Sequence, residues 1–412
     1  MTEKEIYSHC SLSNGIRVIH RHTSSDVAHL GIIINAGSRD EKPAEQGLAH
    51  LIEHMIFKGT AKRKAYHVLS CLENVGGEMN AFTTKEDTCL HASFVKTHFE
   101  RAFELMSDVL FNSTFPVNEL KKEKEVVVDE INSYRDNPSD EIFDLFEEKT
   151  FGNHPLGHRI TGTKEIVIKI NKTNIKLFMQ QHYSADRIVI AAVSNHDFNK
   201  VKSLAEKYFS GAIRKNGSSG RKRFTQYKPF SKKISMDIFQ AHAMIGNAAY
   251  DQKDKRRIDL MLLNNYLGGP AMNAKLSMEV REKHGYCYNI ESNYVPFSDS
   301  GLFTIYLGTD NIYMDKAMAL IFKELKKLRD LKLGTLQLKR AKQQWIGQIA
   351  IAYESNLHEM LSMGKSFMVY NKVDTVTTIN QKIEKITADD LLAIANEVFD
   401  PDQLSVLVFQ SK

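Results

Sequence analysis

The spacing of apolar residues divides this chain into strands and helices. Residues 16–22 (Ile-Arg-Val-Ile-His-Arg-His) and 28–36 (Ala-His-Leu-Gly-Ile-Ile-Ile-Asn-Ala) are rich in β-branched side chains between polar turns, and read as strands. Leu48, Leu51, Ile52, Met55 and Ile56 then supply one apolar face of a helix, with no Pro or Gly interrupting until Gly59. A second helix is expected near 65–75. Gly76-Gly77 opens a segment from 78 to 95 that reads as two strands broken at Lys85-Glu86-Asp87. A helix near 98–111 follows, and then a long charged helix from about 117 to 135, stopped by Asp136-Asn137-Pro138.

The pattern recurs. Residues 170–190 overlay 386–406 at an offset of 216, with Tyr183 over Phe399 and Asp186 over Asp402, each copy a helix, a turn and an apolar strand. His54-Met-Ile-Phe-Lys-Gly overlays Asn264-Asn-Tyr-Leu-Gly-Gly at an offset of 210, so that His50, Glu53 and His54 become Leu260, Leu263 and Asn264. Strand pairs alternating with helix pairs favour an α+β fold over a doubly wound parallel sheet. The expectation is two homologous domains, each an antiparallel-rich sheet with helices packed on one face, facing each other across a cleft. The expected boundaries are 1–210, a linker at 211–230, and 231–412, because 211–230 is polar and glycine-rich.

Composition narrows the partners. With 42% hydrophobic and 25% charged residues in 412, the chain has the make-up of a soluble globular protein. A net charge of +5 spread over that length argues for no nucleic-acid and no membrane partner. The basic cluster Arg221-Lys222-Arg223 reads as solvated linker, since no aromatic interleaving accompanies it. Cysteines at 10, 71, 89 and 287 lack the short paired spacing of a knuckle or redox motif, and the N-terminus lacks an apolar leader. The expected location is cytoplasmic.

Candidate chemistry sits on the first helix. His50, Glu53 and His54 stand in the order His-x-x-Glu-His, so a helix places the two imidazoles one above the other with the carboxylate beside them. Two neutral imidazoles one turn apart can ligate zinc, and an adjacent carboxylate can take a proton from water. The plainer reading is three polar residues on a half-buried surface helix. In the long helix, Glu123 and Glu130 lie seven residues apart and return to nearly the same face. Either could supply the third ligand that two histidines leave wanting, although most Glu residues in so charged a helix are merely solvated.

These residues carry a resemblance. The order His-x-x-Glu-His is similar to the inverzincin signature. Gly47 to His54, followed by Phe57-Lys58-Gly59-Thr60, resembles the metal helix of the pitrilysin and insulinase peptidases, in the branch of mitochondrial processing peptidase β subunits and small bacterial zinc peptidases. The resemblance implies one Zn2+ per chain, held by His50, His54 and a Glu that falls on Glu130, with Glu123 orienting a ligand and Glu53 as general base. It also implies that Arg281 and Tyr288 reach the substrate from the second half, and that Asn80, Ala81 and Phe82 form a sheet edge on which an extended peptide adds as a strand. Leu267–Leu276 resembles a glycine-rich loop of the family, with Lys275 and Ala271 where Arg and Gly are frequent. The function implied is a zinc-dependent endopeptidase acting on unstructured or presequence-like peptides, assembled as a homodimer. The alternative is a noncatalytic structural or peptide-presenting subunit of the same fold; such relatives typically lose ligands, or the Arg and Tyr, whereas this chain has both sets.

Overall fold

The structure, a computed structural model, describes residues 6–211 and 220–412. The chain divides into two units, each discontinuous: Met1–Asn132 with His158–Arg221 and Ile351–Thr375, and Ser133–Gly157 with Lys222–Ala350 and Val376–Lys412.

The first unit is built on six strands, β1 (Tyr7–Ser11), β2 (Arg17–His22), β3 (Val27–Ile34), β4 (Glu78–Thr83), β5 (Thr88–Val95) and β6 (Ile188–Ser194). Their order is β1-β2-β6-β3-β5-β4, and all neighbours run antiparallel except β2 and β6. The second unit has five, β7 (Ser231–Met236), β8 (Ala241–Ala249), β9 (Cys287–Pro296), β10 (Gly301–Thr309) and β11 (Ser405–Ser411), in the order β7-β11-β8-β10-β9. There too the one parallel pair is β7 with β11. The two sheets therefore repeat one topology, with β6 and β11 in the same place and β1 the extra strand. The aligned segments of the repeat fold alike: helix Lys172–His182 leads to β6, and helix Ala388–Val398 leads to β11.

Five helices of the first half matter below: α1 (Leu48–Met55), α2 (Ala65–Glu73), α3 (Phe99–Asn112), α4 (Val117–Asp136) and α5 (Pro138–Phe151). Alternate residues of β3, β5 and β6, among them Leu30, Ile32, Leu90, Phe94 and Ile190, join α1, α3 and α4 in one core. The intervening residues Ile33, Cys89, Val189 and Ala191 are buried as well, against Met360, Met363 and Phe367 of the helix Asn356–Tyr370. Both faces of this sheet are therefore covered, which is why its strands are apolar almost throughout.

The division differs from the contiguous halves expected at 1–210 and 231–412. Helix α5 belongs to the second unit, where Ile142, Phe146 and Phe151 pack with Met244, Leu302, Leu407 and Phe409. Helix Asn356–Tyr370 reciprocates in the first unit. Glycines mark both contacts: a Cβ on Gly246 would lie 2.9 Å from the Phe146 ring, and one on Gly31 would lie 2.4 Å from Met360 Sδ. The sequence reading named neither helix, and local periodicity holds no record of which sheet a helix covers. In the same way each sheet carries one helix on the face expected to be bare.

The expected linker is also only partly a linker. Residues 212–219 lie outside the described residues, but Arg221 is tied into the first unit rather than solvated. It meets Asp40 at 2.7 Å, Asn35 Oδ1 at 2.9 Å and the Glu86 carbonyl at 2.7 Å. Arg187 joins Asp40 at 3.0 Å. Burial would raise the Asp40 pKa, but Arg221, Arg187 and the Gly37 amide outweigh it and hold the carboxyl below the usual aspartate range. Among the described residues, no helix is long and apolar enough to cross a membrane.

Candidate metal centre

Helix α1 is pinned by Leu48, Ala49, Leu51, Ile52 and Met55, all fully buried. It starts at Gly47 with φ +88°, where a Cβ would stand 2.5 Å from the Thr161 carbonyl oxygen. A left-handed turn this close to backbone admits only glycine. The first amides of the helix are capped from a distance by Glu41, whose Oε2 accepts from the Gly47 N–H at 2.9 Å and Oε1 from the Ala49 N–H at 2.7 Å. Burial pushes the Glu41 pKa up, while these two donors pull it down. Replacing Glu41 by Ala leaves two buried amides without acceptors, and should cost on the order of 2–4 kcal/mol of stability in chemical denaturation. Glu41→Gln, which keeps one acceptor oxygen, should recover much of that; equal losses for the two variants would remove the capping role.

Helix α4 is held by Leu120, Val127 and Ile131, a stripe that leaves Glu123 and Glu130 turned toward α1. His50 Nε2 lies 3.7 Å and His54 Nε2 3.6 Å from the same Glu130 carboxylate oxygen. These separations are too long for hydrogen bonds, so the three atoms converge without bonding to one another. Ligands about 2.0–2.1 Å from a tetrahedral zinc ion stand roughly 3.3 Å apart, close to what is found here. The side chains of His50, His54 and Glu130 thus fit a metal of the zinc class in both donor type and spacing.

Neighbouring groups set the protonation that such a site needs. Glu123 Oε2 is 3.2 Å from His54 Nδ1, so the ring donates there and leaves the Nε2 lone pair toward Glu130. Lys58 holds the other Glu123 oxygen at 2.7 Å. Burial, followed by the neighbouring His54, lowers the His50 pKa to about 4, which keeps that ring neutral. Its Nδ1 is buried without a partner, so packing alone fixes the ring. Glu130 is pushed up by burial, with His54 opposing.

Glu53 follows the same helix one residue before His54. Burial raises its pKa, opposed by the side chain and backbone of Thr83 on β4, and its Oε2 is buried without a partner. Strand β4 is the last of its sheet, with Asn80 and Phe82 exposed and Ala81 half-buried. His50, His54, Glu130, Glu123, Glu53 and the edge residues 80–82 therefore all belong to the first unit.

Arg281 and Tyr288 belong to the second, and both sit on irregular backbone. Arg281 lies in a π-helical turn, Ser277–Glu282, exposed and 3.6 Å from Glu282. Tyr288 is the extra residue of a bulge: Thr309 pairs with Cys287 and Gly308 with Asn289, so Tyr288 turns outward, 81% exposed. His154, in the His154–His158 segment, takes a backbone partner, the Lys222 carbonyl, at 2.9 Å.

Residues 17–164 match the family model described as insulinase, peptidase family M16, and 169–345 match the one described as the peptidase M16 inactive domain. An uncharacterized zinc protease of Bacillus subtilis, YmxG, is 34% identical over 402 residues, covering 97% of each chain. This chain belongs to the M16 peptidase family. A zinc protease of Streptomyces coelicolor, also uncharacterized, is 33% identical across 94% of the M16 chain described here and 86% of its own length. One from Rickettsia felis is 30% identical, with 98% of both chains covered. Among solved structures, an M16 inactive-domain protein of Pseudomonas fluorescens superposes with a TM-score of 0.92 and a Helicobacter pylori protease with 0.89, each at 20% identity over 98% of this chain. These two share the M16 fold.

The roles of two residues beside this group escaped the sequence reading. Glu41 lies in the aperiodic loop before α1, and Lys58 just past the helix end. Neither position carries a local signal of burial or pairing; only the return of Glu41 to the helix start, and of Glu123 to Lys58, assigns them.

Proposed function

We propose that this M16 chain is a zinc-dependent endopeptidase, with the ion held by His50, His54 and Glu130. The observation that carries the reading is the convergence of two imidazole nitrogens and one carboxylate oxygen within 4.8 Å, beside a second carboxylate that is no part of the group. Zinc bound there would supply Lewis acidity toward water and a peptide carbonyl. Glu53 accepts the proton of the attacking water and returns it to the departing amine, a task suited to a partly buried carboxyl with a free oxygen. Glu123, steadied by Lys58, holds the His54 ring in the tautomer that points Nε2 at Glu130.

Substrate is taken as an added strand along β4. Its outer edge is unpaired among the described residues, and Asn80, Ala81 and Phe82 run along it. Main-chain hydrogen bonding of this kind holds extended peptides with little regard to sequence, so unfolded or presequence-like segments are the expected class. Arg281 and Tyr288 are the proposed donors to a substrate carbonyl, since guanidinium and phenol groups bond oxygen well and both are exposed. The alternative, a noncatalytic peptide-presenting subunit, would keep the fold and bind peptide without turnover.

The deciding experiment incubates the zinc-loaded protein with an internally quenched, unstructured peptide. Cleavage that stops with a chelator and returns with stoichiometric zinc is the expected result. Intact peptide in the presence of fully zinc-loaded protein would leave only the noncatalytic reading.

A further inference from the structure

In the second unit, the loop after α5 and the segment 222–228 enclose a cavity of about 520 Å3, well within the size range of small-molecule sites. Its wall is fixed from behind. Phe151 is buried, with its ring centroid 4.9 Å from that of Phe224 and 5.7 Å from that of Phe297. His154 lies against Phe224 at 5.3 Å. Its Nε2 faces the Lys222 carbonyl and its Nδ1 accepts the Leu156 amide at 3.3 Å, which sets the orientation of the ring. Gly152, at φ +54°, makes the turn.

The rim is charged in one sense only. Lys149, Lys222, Arg223 and Lys228 line the cavity, and no Asp or Glu does. Arg223 and Lys228 make no ion pair among the described residues.

We infer that this cavity is a binding site for a diphosphate group, free or carried by a nucleotide, gripped by Lys149, Arg223 and Lys228. Three cations around one cavity carry more charge than a single orthophosphate and match that of a diphosphate. A nucleic-acid strand lacks its stacking platform, because the Phe224 ring is already packed by Phe151 and His154. The site uses none of the residues of the metal centre, and stands or falls independently of the peptidase reading.

The test is calorimetric titration of the full chain with sodium pyrophosphate, alongside ADP and orthophosphate. Protein-bound zinc is measured before and after, so that chelation of a metal at the histidine–glutamate group is separated from binding here. One saturable site per chain is expected, with orthophosphate weaker by more than about tenfold and the double variant Lys149→Ala/Arg223→Ala weaker by a similar factor. The charge-conserving pair Lys149→Arg/Arg223→Lys should bind nearly as wild type, which separates lost charge from lost folding, and Lys202→Ala, exposed on the first unit, should change nothing. ADP binding tighter than pyrophosphate points to a nucleotide, and the reverse to the free anion. Unchanged pyrophosphate affinity in the double variant, orthophosphate binding as tightly as pyrophosphate, or no saturation below about 10 mM would each overturn the inference.

Discussion

Glu53→Gln should reduce cleavage of an unstructured peptide by about 100- to 10,000-fold while leaving zinc content and thermal stability as in the wild type. Gln has the shape of Glu and fits the same half-buried place on α1. What it lacks is a basic oxygen. Because Glu53 is not one of the three converging ligand side chains, its loss separates proton transfer from metal binding. The measurements are kcat with a quenched peptide, zinc per chain by elemental analysis, and a melting curve. Equal turnover in the two proteins would discard Glu53 as the base; lost zinc would instead move it into the ligand set.

Glu130→Ala should weaken zinc binding by well over about 100-fold, more than any change outside the ligand set, because two imidazoles alone hold a divalent zinc ion poorly. Glu123→Ala should weaken it by about 10- to 100-fold, since His54 then loses the acceptor that fixes its tautomer and Lys58 loses its partner. Asp129→Asn, on the exposed side of α4 next to Glu130, is the control and should leave affinity unchanged. Competition against a chromogenic chelator reads all three. A Glu130→Ala protein that holds zinc as tightly as wild type, or an Asp129→Asn protein that loses it, would mean that the third ligand has been assigned to the wrong carboxylate.

The stretch from β2 to α4 shows how far pattern alone can reach. Its strands, the break at Lys85-Glu86-Asp87 and the long helix ending before Pro138 all fall within a residue or two of where apolar spacing and turn residues set them. Strand β1 was missed because Tyr7–Ser11 is short and mostly polar, and it is a strand only because β2 offers an edge to pair with. Arg221 was misjudged for the opposite reason. A basic residue in a glycine-rich run looks solvated until Asp40, 181 positions away, is seen to need it.

What the sequence by itself determined is everything governed by neighbours along the chain: the period of each element, the repeat of one topology, and the stacking of His50 over His54, which needs only that α1 be a helix. What the tertiary structure decided is everything governed by neighbours in space. That includes the approach of Glu130 to both imidazoles, the reach of Glu41 to the start of α1, and the placing of α5 and helix Asn356–Tyr370 on sheets built largely by the other half of the chain. The physical reason is that backbone hydrogen bonding within a helix is satisfied locally, whereas a buried face or a buried carboxylate is satisfied only by a partner that close packing brings to it.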